Sequence, residues 1–252
     1  MRRTRLYWAD LPGLNMANLT GPQRAKYVQG MFARIAHRYD LMNRIMTAGQ
    51  DVRWREAVIR RAKLQPDGRL LDLGTGTGDL AQEGLDQNPD SRVVAADFTL
   101  QMMQYGRSRG HSTRLDWVCT DALTLPLPDQ SFDAVISGFL LRNVIDLDRV
   151  LHEQYRVLKP GGSIVALDTT HPPKNLFSPL INFHLHVIIP TLGELLTGER
   201  GAYTYLPEST KNFLGAENLA ARMVAAGFKE VGFQRLMFAT VAIHWGRRAR
   251  DG

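Results

Sequence analysis

Asp72, Gly74, Gly76, Gly78 and Asp79 stand together in the stretch Asp72-Leu73-Gly74-Thr75-Gly76-Thr77-Gly78-Asp79. Glycines at alternate positions leave the backbone bare, so a ligand can lie against the main chain. A helix opening at Asp79 would turn its unpaired amides toward that ligand. The spacing is not the dinucleotide fingerprint GxGxxG, which needs glycine where Asp79 stands. Two more acids follow apolar runs, Asp97 and Asp121. Asp97 trails the loop by about twenty residues, the spacing at which a carboxylate can accept from ribose hydroxyls. Taken singly, Asp97 and Asp121 read equally well as turn residues or helix caps. Farther on, Arg142-Asn143 offers a cation beside an amide, and Tyr39 and Tyr205 offer phenols. His37, His171, His184 and His186 could titrate near neutrality, but their spacing selects none as a base and suggests no metal site.

The elements around these residues alternate strand and helix. A strand at 69–73 leads through the Gly loop to a helix at 79–87, then a strand at 92–96 and a helix at 99–109 with Thr99 as N-cap. Strands are expected at 115–119, 132–137 and 163–168. Asp146 caps the helix before the last of these, and Lys159-Pro160-Gly161-Gly162 stops it. Such alternation predicts an α/β fold with a doubly wound, mostly parallel sheet. A helix at 216–226 and two strands near 229–236 and 240–247 end the molecule as an antiparallel hairpin. Upstream, two helices are expected, one from Gln23 with its apolar stripe Tyr27, Val28, Met31, Phe32, Ile35 and Ala36, and an Arg-rich one at 51–63. The expected organisation is a loose arm at 1–22, a helical cap at 23–65, a core at 66–168, a lid inserted at 169–214 and a closing unit at 215–252.

Composition narrows the class. The 252 residues are 44% hydrophobic, enough for one generous core. The lone Cys119 excludes an intrachain disulfide; its apolar surroundings predict a buried thiol and a reducing, cytoplasmic setting. No apolar run approaches the roughly 20 residues of a membrane span, and the basic start shows no secretory pattern. A net charge of +6 is spread over small clusters, which reads first as a solvated basic surface and second as attraction to acidic headgroups.

The Gly74–Gly78 loop resembles the first motif of class I S-adenosylmethionine (SAM) dependent methyltransferases, as does the closing hairpin. That resemblance implies SAM as co-substrate, with the loop (Gly74, Gly76, Thr77, Gly78) and Asp72 at its amino-acid half. Asp97 would take the ribose, Asp121 and Ala122 the adenine, and Gly138 would lie near the methionine moiety. A more specific resemblance rests on Tyr39-Asp40-Leu41-Met42-Asn43 with Trp54, on Leu141-Arg142-Asn143-Val144, on Arg156-Val157-Leu158-Lys159-Pro160-Gly161-Gly162, and on Tyr203-x-Tyr205-Leu206-Pro207-x-Ser209. These are similar to the UbiE/MenG family, the C-methyltransferases of ubiquinone and menaquinone synthesis. The sequence departs from the family's usual pattern at Thr47 and Asp51 (serine and histidine), at Gly138 and Leu140 (serine and glycine), and at Asp168-Thr169-Thr170 (Glu-x-Ser). Leu140 is expected to narrow the ring pocket.

The resemblance implies methylation of a ring carbon on a polyprenyl quinol. A phenolic hydroxyl of pKa about 10 costs about 4 kcal/mol to ionise at neutral pH. Arg142 is the expected electrostatic stabiliser of that phenolate, Asn143 the group that orients a ring oxygen, and Tyr39 and Tyr205 hydrogen-bonding or proton-relaying partners. Peripheral association with the inner face of the cytoplasmic membrane is expected of an enzyme with such a substrate. The apolar stretch 176–189 could serve that purpose, a homodimer contact or a buried lid. Competing readings are a methyltransferase of another small aromatic or lipid and a non-catalytic quinone-binding subunit. A nucleic-acid partner is not expected, because Gly138-Phe139-Leu140-Leu141 lacks the Asn/Asp-Pro-Pro-aromatic element of base amino-group methyltransferases.

Overall fold

The computed structural model describes residues 20–172 and 208–250, together with Val187, Thr191 and Tyr205. Residues 1–19 of the arm expected at 1–22, most of the stretch expected as a lid, and His184 and His186 lie outside the described residues. Among the described residues seven strands form one sheet: β1 (Arg69–Leu73), β2 (Arg92–Asp97), β3 (Leu115–Cys119), β4 (Phe132–Gly138), β5 (Leu158–Thr169), β6 (Lys229–Leu236) and β7 (Val241–Arg247). Their order across the sheet is β3-β2-β1-β4-β5-β7-β6. β1 to β5 run parallel, and β7 is antiparallel to both β5 and β6.

The helices that cover it are α1 (Gly21–Met46), α2 (Gln50–Ala62), α3 (Asp79–Gln87), α4 (Leu100–Ser108), α5 (Leu147–Val157) and α6 (Ala216–Ala225). The central strands are apolar on both faces, so each face needs a cover. Leu71, Val135, Ile164 and Ala166 face Val150 and Leu151 of α5 and Leu219 and Met223 of α6. Leu70, Ala134, Ile136 and Val165 face Trp54, Val58 and Ile59 of α2 and Leu80 and Leu85 of α3. The Arg-rich α2 is therefore a layer of the core. Arg53 and Arg60 fall on the exposed side of an amphipathic stripe, leaving α1 to build a separate small cluster from Val28, Met31, Ile35 and Met42 with Tyr205.

Three local expectations differ from the structure. Cys119 is exposed rather than buried. It is the last residue of β3, the edge strand, where burial already fades from Leu115 to Trp117 and the packed layer no longer covers the strand end. Thr99 occupies the N-cap position of α4, but its side chain accepts no cap bond. The Asp97 carboxylate takes that role, accepting from Thr99 N at 2.6 Å. β5 begins at Leu158, so the Lys159-Pro160-Gly161-Gly162 turn is drawn into the strand. Asp146 caps α5 as expected, its side chain accepting from Arg149 N.

Candidate active site

Ligands of open α/β sheets sit beyond the carboxyl ends of the strands. Here that edge carries the Gly loop, Asp97, Asp121 and Gly138, and α1 crosses above it against α4. Gly74, Gly76 and Gly78 have φ of +74°, +58° and +88°. Amides of Gly74 and Thr75 both donate to Ala96 O, at 2.8 and 3.0 Å, which ties the loop to β2. Gly76 N donates to Asp97 Oδ2 at 2.8 Å. Asp97 thus holds the loop and caps α4 with one oxygen each, and each oxygen keeps a lone pair for a hydroxyl. Burial pushes its carboxyl above the ordinary value, opposed by those two backbone bonds.

Two adjoining cavities share Tyr39, Gly74, Gly76, Gly138 and Phe139. The first holds about 880 Å³ of atom-free space, its open mouth included. Phe98, Met102, Ala122 and Leu123 supply apolar walls for a flat ring, with Asp97 along one side and Asp121 beyond. Asp121 is exposed and its Oδ1 accepts from Leu123 N at 3.0 Å. The second cavity is acidic, lined by Asp40, Asp51, Asp72 and Asp79 with Arg55 as its cation. Asp72 is fully buried; Thr75 Oγ1 donates to its Oδ2 at 2.5 Å, while Oδ1 has no partner among the described residues. Desolvation raises Asp72 to about 7. An orphaned, buried carboxylate oxygen beside a bare Gly loop suits a cation. The site therefore fits SAM: an ammonium at Asp72, hydroxyls at Asp97 and an apolar slot for adenine.

Of the expected cofactor residues, Asp72, Gly74, Gly76, Thr77, Asp97, Asp121, Ala122 and Gly138 line these cavities. Gly78 lines neither. A Cβ on it would collide with the Trp117 ring, so its glycine serves packing and a positive φ. Thr77 is buried and donates to Asp40 Oδ1 of α1 at 2.8 Å.

The substrate-side residues divide in the same way. Tyr39 and Asn143 line the first cavity, and Tyr39 also lines the second. Burial raises the Tyr39 phenol above its ordinary value, against a hydrogen bond from Asn43 and the Arg142 charge, so it stays protonated near neutrality. Asn143 Nδ2 donates to Phe139 O at 2.9 Å, and its Oδ1 accepts from Tyr205 Oη at 3.0 Å. Tyr205 therefore reaches the site through Asn143.

Arg142, expected as the electrostatic stabiliser, lines neither cavity, although its charge reaches Tyr39. It is buried, its Nη1 lies 2.7 Å from Asp168 Oδ1, and its guanidinium carbon sits 4.9 Å from the Phe139 ring centroid. Sequence reading missed Phe139, a non-glycine at φ +58° that lines both cavities. No local pattern marks it; the strain is sustained by Phe139 N donating to Leu167 O at 2.7 Å and by the Asn143 bond to its carbonyl. Arg55, Asp40 and Met102 were also missed, because sequence spacing does not show which helix faces meet. Leu140 packs over Gly74, where an added Cβ would approach it to 2.9 Å, and it lines the first cavity.

Strand order, Gly loop and acidic strand ends together define a class I SAM-dependent methyltransferase. Among solved structures, the [4+2]-cyclase SpnF superposes with a TM-score of 0.67 at 19% identity, covering 92% of this chain and 98% of that one. At that identity the likeness carries the fold alone. The ubiE/COQ5 methyltransferase family model matches residues 20–248, and the chain belongs to that family. It is 46% identical to the ubiquinone/menaquinone biosynthesis C-methyltransferase UbiE of Desulfotalea psychrophila (87% of this chain, 89% of the relative). It is 44% identical to the demethylmenaquinone methyltransferase of Thermus thermophilus (86% of this chain, all of the relative).

Proposed function

We propose that this protein methylates a ring carbon of a demethylated polyprenyl quinol, converting demethylmenaquinol to menaquinol or acting on the equivalent ubiquinol precursor. The observation that carries the reading is that the Tyr39 phenol and the Asn143 side chain line the same cavity, and that Tyr39 also lines the second cavity beside it. SAM supplies a methyl group already activated on a positive sulfonium. The protein's remaining task is to make a ring carbon nucleophilic and hold it in line. Tyr39 Oη, kept protonated by burial, donates toward a ring oxygen and stabilises the phenolate. Asn143, braced by Tyr205 and by the Phe139 carbonyl, fixes that oxygen's direction. Phe139 forms a flat wall against the ring, and Arg142 braces that wall from behind. The family membership and the names of the relatives support this substrate class.

Peripheral association with the membrane belongs to the same proposal, since the tail of such a quinol lies in lipid. Among the described residues no helix is long and apolar enough to cross a membrane. Phe98 and Ile145 line the first cavity yet remain 39% and 36% exposed, with Leu100 nearby in sequence at 47%. They offer an apolar rim through which a tail can pass.

The test is mass spectrometry of products after incubation with SAM and a reduced demethylnaphthoquinone or a reduced ring-demethylated benzoquinone. A methyl gain on the ring of the reduced form, absent from the oxidised form, is expected. No gain, or a gain on oxygen, would reject the quinol reading.

A further inference from the structure

A series of alternating charges borders the second cavity and takes no part in the chemistry above. Asp40 of α1 accepts from Thr77 Oγ1 through Oδ1 at 2.8 Å and from Arg109 Nη1 through Oδ2 at 2.7 Å. The same Arg109 nitrogen lies 2.7 Å from Asp79 Oδ1. Asp79 Oδ2 then meets Arg55 Nη1, and Arg55 Nη2 lies 2.7 Å from Asp51 Oδ2. Asp51 closes the series on Thr47 Oγ1 at 3.1 Å. It ties α1 and α2 to the Gly loop, the start of α3 and the C-cap of α4.

Arg109 lines neither cavity, and its side chain is 31% exposed. We propose that Arg109 is a positioning residue for SAM binding, holding Asp40 and Asp79 on one nitrogen so that α1 stays closed on Thr77 and the Gly loop. The proposal rests on the assignment of these cavities to SAM.

The arrangement follows from charge. Asp79 is the first residue of α3 and Arg109 the C-cap of α4, so each sits at the helix end that favours its sign. Two carboxylates sharing one guanidinium nitrogen repel each other as soon as that cation is removed. Asp79 already acts on Asp40 in that sense, adding to burial in raising the Asp40 carboxyl. Asp40 directly follows Tyr39 in α1, so a retreat of Asp40 from Thr77 carries Tyr39, which lines both cavities, away from the loop. Three further polar links between α1 and the core, among the described residues, do not touch the loop. They run from Arg24 Nη2 to Arg142 O at 2.9 Å, from Gln29 Nε2 to Phe98 O at 2.8 Å and from Tyr105 Oη to His37 O at 3.2 Å.

A solvated ion pair with no role in the site would be worth little and would show no particular epistasis. The charge argument predicts a specific sign. Calorimetric SAM affinity is measured for the wild-type protein, Arg109→Met, Arg109→Lys and the double variant Arg109→Met/Asp40→Asn, with thermal melts alongside. Arg109→Met is expected to weaken SAM binding about tenfold, and Arg109→Lys to stay within about threefold of wild type. Asp40→Asn in the Arg109→Met background is expected to restore most of the affinity. Its amide oxygen still accepts from Thr77, and it carries no charge to repel Asp79. Unchanged affinity in Arg109→Met, or a further loss in the double variant, would overturn the proposal. A wild-type protein that bound no SAM would overturn the cofactor assignment beneath it. Should Arg109→Met not fold, Arg109→Gln with and without Asp40→Asn makes the same comparison.

Discussion

Removing the Asp168 carboxylate tests whether Arg142 acts on the ring or on the scaffold. Asp168 has no exposed surface and accepts from Arg142 Nη1 at 2.7 Å, from Arg142 N at 3.2 Å and from Thr169 N at 2.8 Å. Arg142 is 6% exposed, and its Nε has no partner among the described residues. Asp168→Ala therefore leaves a buried guanidinium without its counter-charge, a change that costs about 3–5 kcal/mol. At about 2–4 °C per kcal/mol for a protein of this size, Tm should fall by roughly 10 °C. Replacing both partners by apolar groups, Arg142→Met/Asp168→Leu, removes the uncompensated charge and should recover part of that loss, the Arg142 and Thr169 amides losing their acceptor. Calorimetric melts and turnover are measured on both variants and on Arg142→Met alone. If Arg142 positions Phe139 and Asn143, turnover in the double variant should recover along with stability. A double variant that melts like wild type yet has lost turnover would refute this reasoning and return the guanidinium to its expected role as electrostatic stabiliser of the phenolate.

The two remaining predictions concern the Gly loop. Gly78→Ala drives a methyl into the Trp117 ring at φ +88°, so a loss of about 1–3 kcal/mol is expected in urea denaturation; a wild-type midpoint would mean the loop relaxes freely. Asp72, raised by burial to about 7 from 3.8, holds a proton in the native state that the unfolded polypeptide has released. Its contribution to stability is therefore lost as pH rises between those values. The melting temperature of Asp72→Asn minus that of the wild type should increase over the same window in SAM-free protein, and a pH-independent difference would contradict the assignment.

Much of the fold is legible in the sequence because its signals are local. The alternation of apolar runs with turn residues places β1, β2, β3 and the closing hairpin to within a residue or two, and Asp146 announces its cap. Gly74, Gly76, Asp97 and Asp121 can be assigned to one site from the sequence, since parallel strands bring their carboxyl ends to one edge. Cys119 escapes such reasoning because an apolar run does not say whether its strand is central or at the edge. Arg142 escapes it because its partner Asp168 stands 26 residues away, on β5.

What linear order determined, then, is the sheet, the bare loop and the acidic strand ends, each specified by residues close in sequence. The motifs also carried the resemblance to a quinone methyltransferase family. Tertiary structure alone decided which charges face the cavity and which are spent holding it. Arg142 turns away to a buried carboxylate, Gly78 makes room for Trp117, and Asp40 and Asp79 converge on Arg109 from different helices. The physical reason is that ion pairs and close packing depend on distances across elements, and a sequence states only the order in which those elements are joined.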